Sequence, residues 1–426
     1  MWIEPNLENA WKAASEPVVI TGLGVLSSVG IGKTTFWEAL ESGRSGIGPI
    51  TRFDASPFPC QIAGELRDFN PSDFMPNSVI KHWHRHVHQS IAASKLAVED
   101  AELSKAGYAS DRIAVGIGTS VGSPNEAYRS LMDAYNSGGY KKVSKFASSA
   151  FSSHAATVHV SVDFGLKGPS ITIASGCSTG LDILIWGMNQ LKLNLADAVV
   201  VGATESPVFM ESIATASSLG ILSKRNDEPE KAMRPFDRYS DGIVLSEGAC
   251  VFILERPGAA KARGAPILGE LLGYGSASEG NNPLILEKQG IALSRAMHSA
   301  LTSAGLQPHE VDAIQTHGVS LRMYDQCEAE AIQRVFGSNP QAIPISAVKS
   351  MTGQTYSAGG ALGVAAGLMT LAKGLIPPII NLEVPIRDDM DFVSREARFN
   401  DVNTMVVNAM SFGGTHCAIV LGRANS

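Results

Sequence analysis

Apolar runs of strand length alternate with helical spacings along most of this chain. Val18-Val19-Ile20-Thr21-Gly22-Leu23-Gly24-Val25-Leu26 reads as a buried strand running into a glycine turn, and positions 33–43 carry helical spacing that stops at Gly43. A helix is predicted through Ala92–Leu103, followed by a buried strand over Ile113–Thr119. Ala198–Glu205 is a strand that stays apolar until a polar tip, and Glu247–Glu255 is a strand that closes the first half. The pattern then repeats. A strand over 266–278 leads to a helix at about 288–305, and a strand over Val311–Gly318 ends in a polar tip before a helix at about 325–336. Ile345–Lys349 is a strand end, positions 356–373 form a Gly- and Ala-rich helix, and Val406–Ala409 to Ile419–Leu421 is a terminal hairpin around Phe412-Gly413-Gly414.

The stretch that organises this alternation is Ile171-Thr172-Ile173-Ala174-Ser175-Gly176-Cys177-Ser178-Thr179-Gly180. β-Branched residues, a Gly-Cys corner and an apolar run to about Leu193 predict strand, sharp turn and buried helix. Helices apolar all round belong in the middle of a structure, and both 177–193 and 356–373 have that character. Apolar strands alternating with helices predict mostly parallel sheets covered on both faces. The expectation is a layered α/β fold of two pseudo-duplicated halves, 17–258 and 259–426, with the two buried helices side by side and their N-termini aimed at one pocket. Residues 1–16 read as a short helical or loose extension, and the polar, Ser-rich 125–160 as a cap or interface region rather than a core layer.

Composition narrows the function class. The 426 residues are 44% hydrophobic and 18% charged with 42 Gly, an ordinary globular make-up. A net charge of -7 and the lack of a basic stripe argue against a nucleic-acid surface. Five scattered cysteines without a CxxC pair indicate neither a disulfide framework nor a zinc site, which fits a reducing cytoplasm. No basic segment followed by an apolar core opens the chain, and no run of about eighteen apolar residues occurs, so neither a signal peptide nor a membrane span is expected. His82, His84, His86 and His88 lack a neighbouring carboxylate or cysteine, so they are read as a solvated or interface helix start rather than a metal site. Gly30-Ile31-Gly32-Lys33-Thr34 looks like the end of a phosphate loop, but Ser27 stands where the first glycine belongs, so it is read as a turn.

Chemistry concentrates at Cys177. A cysteine at a strand-to-helix corner meets unpaired backbone N–H groups and the helix dipole, which favour the thiolate, in the geometry of a nucleophile elbow. A small, inert, buried hydrophobe is the alternative at such a position. Further motifs follow in order: Asp237 with Asp241-Gly242 and Glu247-Gly248, Thr316-His317-Gly318, Lys349 with Gly353, and Phe412-Gly413-Gly414-Thr415. His317 lies 140 residues after Cys177, Lys349 another 32 on, and position 354 another 5 on.

With these motifs, spacings and the opening Val18–Ser28, Phe36-Trp37-Glu38 and Ser45-Gly46-Ile47, residues 17–424 resemble the β-ketoacyl-acyl-carrier-protein synthases of the thiolase superfamily, elongating type. The resemblance implies a thiolase-like αβαβα fold, no cofactor, a phosphopantetheine-bearing acyl-carrier protein as partner, and a dimer. The dimer is a homodimer or a heterodimer with another ketosynthase-like subunit. It implies that Cys177 accepts an acyl group, that backbone N–H groups of Cys177 and Phe412 hold the oxyanion, and that His317 binds the malonyl thioester carbonyl. Lys349 and Glu328 are implied as a buried ion pair, and Phe412, in its Gly413-Gly414 loop, as a gate over the acyl pocket. Arg44, Arg52, Lys224 and Arg225 are candidate cations for an acidic carrier.

Three positions depart from the family pattern. Gln354 replaces a second histidine; it keeps a hydrogen-bond donor and loses any proton-transfer role. Val319 and Leu321 replace threonines that bind the pantetheine arm, and Ser411 replaces a hinge glycine before Phe412. These point to a specialised polyketide or fatty-acid ketosynthase performing decarboxylative Claisen condensation. The alternatives are a non-elongating enzyme, acting by acyl transfer, aldol or lactone cyclisation or malonyl decarboxylation, and a non-catalytic partner subunit of the chain-length-factor kind.

Overall fold

The structure, a computed structural model, describes residues 16–122, 124–150, 152–337 and 343–424; the extension expected over 1–16 falls almost wholly outside them. Among the described residues eleven strands form the sheet, a two-residue strand at Gly30–Ile31 paired to the first and ten along its path: β1 (Val18–Ser27), β2 (Ile113–Gly118), β3 (Ser170–Ile171), β4 (Ala198–Glu205), β5 (Gly248–Glu255), β6 (Gly269–Ser278), β7 (Ala313–Gln315), β8 (Ile345–Ser346), β9 (Thr404–Met410) and β10 (Thr415–Gly422). Their spatial order is β8-β7-β9-β10-β6-β1-β5-β4-β2-β3. Outward from the centre, β1-β5-β4-β2-β3 and β6-β10-β9-β7-β8 have the same topology: two antiparallel pairings, then two parallel ones. This is the duplication expected from the sequence. The halves join through a short antiparallel contact with Val18 opposite Leu271 and Ile20 opposite Gly269.

The sheets are mixed, not mostly parallel. The turn between β9 and β10 is too short for a crossover, and a hairpin can join only antiparallel strands. β5 holds the equivalent place in the first half. The strand expected over 171–175 is also shorter. Only Ser170 and Ile171 pair, at the open sheet edge, because the Thr157 hydroxyl takes over the next groups, at 3.1 Å from the Ile171 carbonyl oxygen and 2.6 Å from the Thr172 hydroxyl.

Eight helices matter for the site: α1 (Lys33–Glu41), α2 (Arg85–Asp100), α3 (Ala155–Phe164), α4 (Thr179–Lys192), α5 (Met210–Ser218), α6 (Ile291–Ala304), α7 (Arg322–Phe336) and α8 (Ser357–Lys373). α4 and α8 are the two small-residue helices. They pack on each other and on strands of both halves, through Leu181, Leu184, Val364 and Leu368 against Val25, Phe252, Val407 and Ile419. α2 and α3 cover the outer face of the first half, and α6 and α7 that of the second. The layers therefore run helix, sheet, helix, sheet, helix. Two sequence expectations change here. Ala155, Ala156 and Val160 of α3 are buried, so the end of 125–160 is a core layer. His86 and His88 are buried as well, so the start of α2 is not a solvated face.

Among the described residues, no group of three or more His, Cys, Asp or Glu could hold a metal ion, and no helix is long and apolar enough to cross a membrane. Gly30 and Ile31 fold back on β1, and Lys33 at the start of α1 pairs with Asp100, so that segment is a turn.

Candidate active site

Cys177 sits in a single 3-10 turn, Gly176–Ser178, that runs directly into α4. Gly176 has φ +71°, the left-handed conformation a glycine tolerates best, which is why glycine precedes the nucleophile position. The turn is pinned from several sides. The Ser178 N–H donates to Ser411 Oγ at 2.7 Å, and Ser411 Oγ donates to the Ser175 carbonyl at 2.7 Å. Ser411 thus ties the β9–β10 turn to the Cys177 turn, and the neighbouring Phe412 N–H favours the Cys177 thiolate. Ser120 Oγ donates to the Gly176 carbonyl at 2.6 Å. Asp182 accepts from both Ser175 and Ser178 hydroxyls.

The start of α8 arrives from the other half. A Cβ on Gly180 would lie 2.6 Å from the Ser357 carbonyl oxygen and 2.7 Å from the Ala361 nitrogen, so α4 and α8 touch backbone to backbone one turn beyond Cys177. That contact brings Gln354, just ahead of α8, to Cys177: Gln354 Nε2 lies 3.5 Å from Cys177 Sγ.

His317 follows β7 and is fully held. Glu328 of α7 accepts the His317 and Gly318 N–H groups, each at 2.8 Å, and Asn408 Nδ2 at 3.1 Å. Lys349 Nζ donates to His317 Nδ1 at 2.9 Å and to the His317 carbonyl at 2.6 Å. The direct Lys349–Glu328 ion pair implied by the resemblance is not present among the described residues. Both carboxylate oxygens are already occupied by backbone N–H groups, and the ammonium is committed to His317. An ammonium donating to Nδ1 leaves the ring proton on Nε2, so His317 presents an N–H donor. That Nε2 is buried without a protein partner among the described residues, as is Gln354 Oε1.

Burial dominates the electrostatics. It pushes the Cys177 thiol up to about 11, against the pull of Lys349 and the Phe412 N–H, so at rest the sulfur is a thiol and the helix N-terminus does not prevail. Burial and the charges of Lys349 and His416 hold His317 well below the usual imidazole range, hence neutral. Burial also lowers Lys349 to about 8, against Cys177 and Glu328. Below that pH the donor-only ammonium fixes the His317 tautomer; above it the neutral amine can also accept, and the Nε2–H tautomer is no longer enforced. The rate of the His317-dependent step is therefore expected to fall as pH rises through about 8. In Lys349→Met, a pH profile of kcat/KM should show a lower rate without that limb; an unchanged limb in the variant would assign it to another group.

An apolar cavity of ≈ 380 Å³ opens beside Cys177, lined by Val121, Phe209, Leu219, Ile221 and Tyr356, with residues of α5 and with Phe412 at its lip. Phe412 is 40% exposed. Gly413 and Gly414 follow with φ +82° and +76°, and a Cβ on Gly414 would strike the Glu279 side chain. Val319 is buried and Leu321 half-buried in the apolar cluster of the second half, so the His317 loop offers no hydroxyl at either position. Of the candidate cations, Arg52 pairs with Glu247, Arg225 lies 3.6 Å from Asp241, and Arg44 donates to the Val29 carbonyl at 3.0 Å.

Sequence reasoning missed three groups. Glu205, the polar tip of β4, is buried and accepts from the Ser120 and Gly122 N–H groups at 2.9 and 2.6 Å and from Ser357 Oγ at 2.8 Å, bracing the floor under Cys177. A carboxylate closing an otherwise apolar strand was its visible signal. Tyr356 at the cavity wall has φ +43°, and Tyr324 packs between His317 and Phe412; neither carries a pattern that sequence alone displays.

This nucleophile turn, held against a buried His–Lys pair between duplicated α/β halves, defines a condensing-enzyme class of site. The profile of the beta-ketoacyl synthase N-terminal domain matches residues 15–260, and that of the C-terminal domain residues 268–383. The chain belongs to the beta-ketoacyl synthase family. It is 37% identical over 407 residues to the 3-oxoacyl-(acyl-carrier-protein) synthase 2 of Coxiella burnetii, covering 95% of this chain and 98% of that one. Among solved structures it is similar to a type II PKS acyl-carrier protein in complex with its ketosynthase bound to the hexaketide, at 29% identity and TM-score 0.88, covering 96% of this chain and 100% of that one. A beta-ketoacyl synthase from Burkholderia phymatum gives the same identity, 29%, TM-score, 0.88, and coverage, 96% and 100%.

Proposed function

We propose that this chain is a ketosynthase that takes an acyl group from a carrier-protein thioester onto Cys177 and lengthens it by decarboxylative Claisen condensation with a malonyl carrier protein. The observation that most supports this is the Gln354 amide 3.5 Å from Cys177 Sγ at the wall of an apolar cavity, with Lys349, whose charge acts on Cys177, bonded to His317 Nδ1 and the His317 Nε2 left unpartnered among the described residues. In this reading the Cys177 sulfur attacks the acyl thioester carbon, the carrier thiol leaves with the proton, and the Cys177 and Phe412 N–H groups hold the oxyanion. The malonyl thioester oxygen then accepts from His317 Nε2–H and Gln354 Nε2–H. Loss of carbon dioxide leaves its bonding pair as an enolate stabilised by those two donors. The α-carbon attacks the acyl-Cys177 carbonyl and the sulfur departs. Gln354 acts as a donor only, since it has no titratable proton.

On this reading residues 17–258 supply the nucleophile and 259–426 supply His317, Lys349 and Gln354. Lys349, Glu328 and Ser411 position other groups rather than react, and Val319, Leu321 and Phe412 shape the substrate path. The carrier protein is the partner, a second copy of the chain completes a dimer, and the setting is cytoplasmic. The apolar Val319 and Leu321 favour a specialised polyketide or fatty-acid pathway over housekeeping elongation.

The test is intact-protein mass spectrometry with acyl-loaded carrier protein, followed by addition of malonyl carrier protein. An acyl adduct that discharges as a product two carbons longer is the expected result. An adduct discharging without lengthening would replace this reading by acyl transfer or cyclisation, and the absence of any adduct by a non-catalytic partner subunit.

A further inference from the structure

Beside His317 and Phe412 stands a polar group that the reaction above does not use. Tyr324, in the first turn of α7, is 4% exposed. Its ring centroid lies 6.0 Å from that of His317 and 6.2 Å from that of Phe412. Its hydroxyl is buried without a hydrogen-bond partner among the described residues, as are His317 Nε2, Gln354 Oε1, Thr355 Oγ1 and Asn408 Oδ1 nearby in the site. An unpaired buried hydroxyl is costly, and packing alone does not call for one, since phenylalanine would fill the same volume. Burial, then the nearby Cys177, raises this phenol far above its ordinary range, so it stays neutral and acts as a donor.

Position decides which half of the reaction it serves. Among the described residues the acyl cavity is lined by Phe209, Leu219, Ile221 and Tyr356 but not by Tyr324. Tyr324 instead packs on the ring whose Nε2 is assigned to the extender. The loop beside it, with Val319 and Leu321, has no side-chain donor at those two positions.

We propose that the Tyr324 hydroxyl is a substrate contact of this enzyme, donating a hydrogen bond to a carbonyl or carboxylate oxygen of the bound extender thioester. This rests on the ketosynthase reading. Two oxygens share that chemistry: those of the malonyl group and the amide carbonyls of the pantetheine arm.

The experiment is Tyr324→Phe, which keeps the ring and removes one hydroxyl. kcat/KM is measured with malonyl carrier protein and with the malonyl thioester of a simple alkyl thiol, which has no amide, and thermal stability is measured in parallel. The expected result is a fall of about tenfold with the carrier substrate, the effect of one hydrogen bond, with Tm unchanged or raised because an unpaired polar group has been deleted. The same factor on the alkyl thioester assigns the contact to the malonyl oxygens, and its disappearance there assigns it to the arm. A change below about twofold on the carrier substrate, or a loss that tracks a lower Tm, overturns the inference. Wild-type protein that does not turn over malonyl carrier protein at all overturns the ketosynthase reading instead, and this inference with it.

Discussion

Cys177→Ala is expected to remove the acyl adduct entirely, whereas His317→Ala should keep the adduct and lose extension by about 10²–10³-fold, the usual effect of deleting one preorganised donor. The two losses differ because the groups face different halves of the reaction. In the proposed reaction the sulfur is the atom that becomes acylated; without it neither Gln354, an amide, nor His317, turned to present an N–H, replaces it as nucleophile. His317 does not bond the sulfur: its Nδ1 and carbonyl are taken by Lys349 and its N–H by Glu328, leaving Nε2 for a substrate oxygen. Its removal is therefore expected to spare loading and to expose the enolate step, where Gln354 would remain as donor to the thioester oxygen. Adduct mass and product formation, read on the same samples, check both. Loss of the adduct in His317→Ala, with the fold intact, would show that the imidazole acts on the thiol and would reverse this division of labour.

How much of this was legible beforehand depended on the range of the interaction. The Gly176-Cys177 corner, the two small-residue helices and the Phe412-Gly413-Gly414 turn are local patterns, and each forms where its sequence places it. The duplication was readable because strand and helix lengths recur in order. Pairing direction was not, since an apolar run looks alike in parallel and antiparallel neighbours. The strand over 171–175 was overextended because β-branched residues favour pleated backbone, while the competing partner for its groups, the Thr157 hydroxyl, comes from another element. Within the site, residue types were legible and pairings were not. Lys349 and Glu328 both serve His317, but they reach it from separate elements and satisfy different atoms, which no spacing reveals. Tyr324 was invisible for the same reason: an aromatic on the first turn of a helix is ordinary until His317 and Phe412 close around it.

The second large effect concerns the contact that assembles the site rather than a group that reacts. Gly180→Ala is expected to destabilise the protein by about 1–3 kcal/mol and to depress condensation beyond what the stability loss explains. The new Cβ meets backbone atoms, the Ser357 oxygen at 2.6 Å and the Ala361 nitrogen at 2.7 Å, which cannot rotate away as a side chain can. α4 and α8 must separate, and with them the Cys177 turn and Gln354, whose 3.5 Å contact spans the same junction. Gly187→Ala, one face further along α4, is the control. There the Cβ meets the Leu254 side chain at 3.0 Å and Val201 at 3.3 Å, neighbours that can shift. Gly187→Ala gains about 1 kcal/mol of helix propensity and Gly180→Ala, in the first turn, less than that, so a loss at Gly180 well beyond that difference reports the helix–helix crowding. Thermal unfolding and single-turnover condensation on both variants would decide the point. Equal behaviour of the two would mean that the halves tolerate separation, and that the geometry around Cys177 is held by its own hydrogen bonds to Ser120, Asp182 and Ser411.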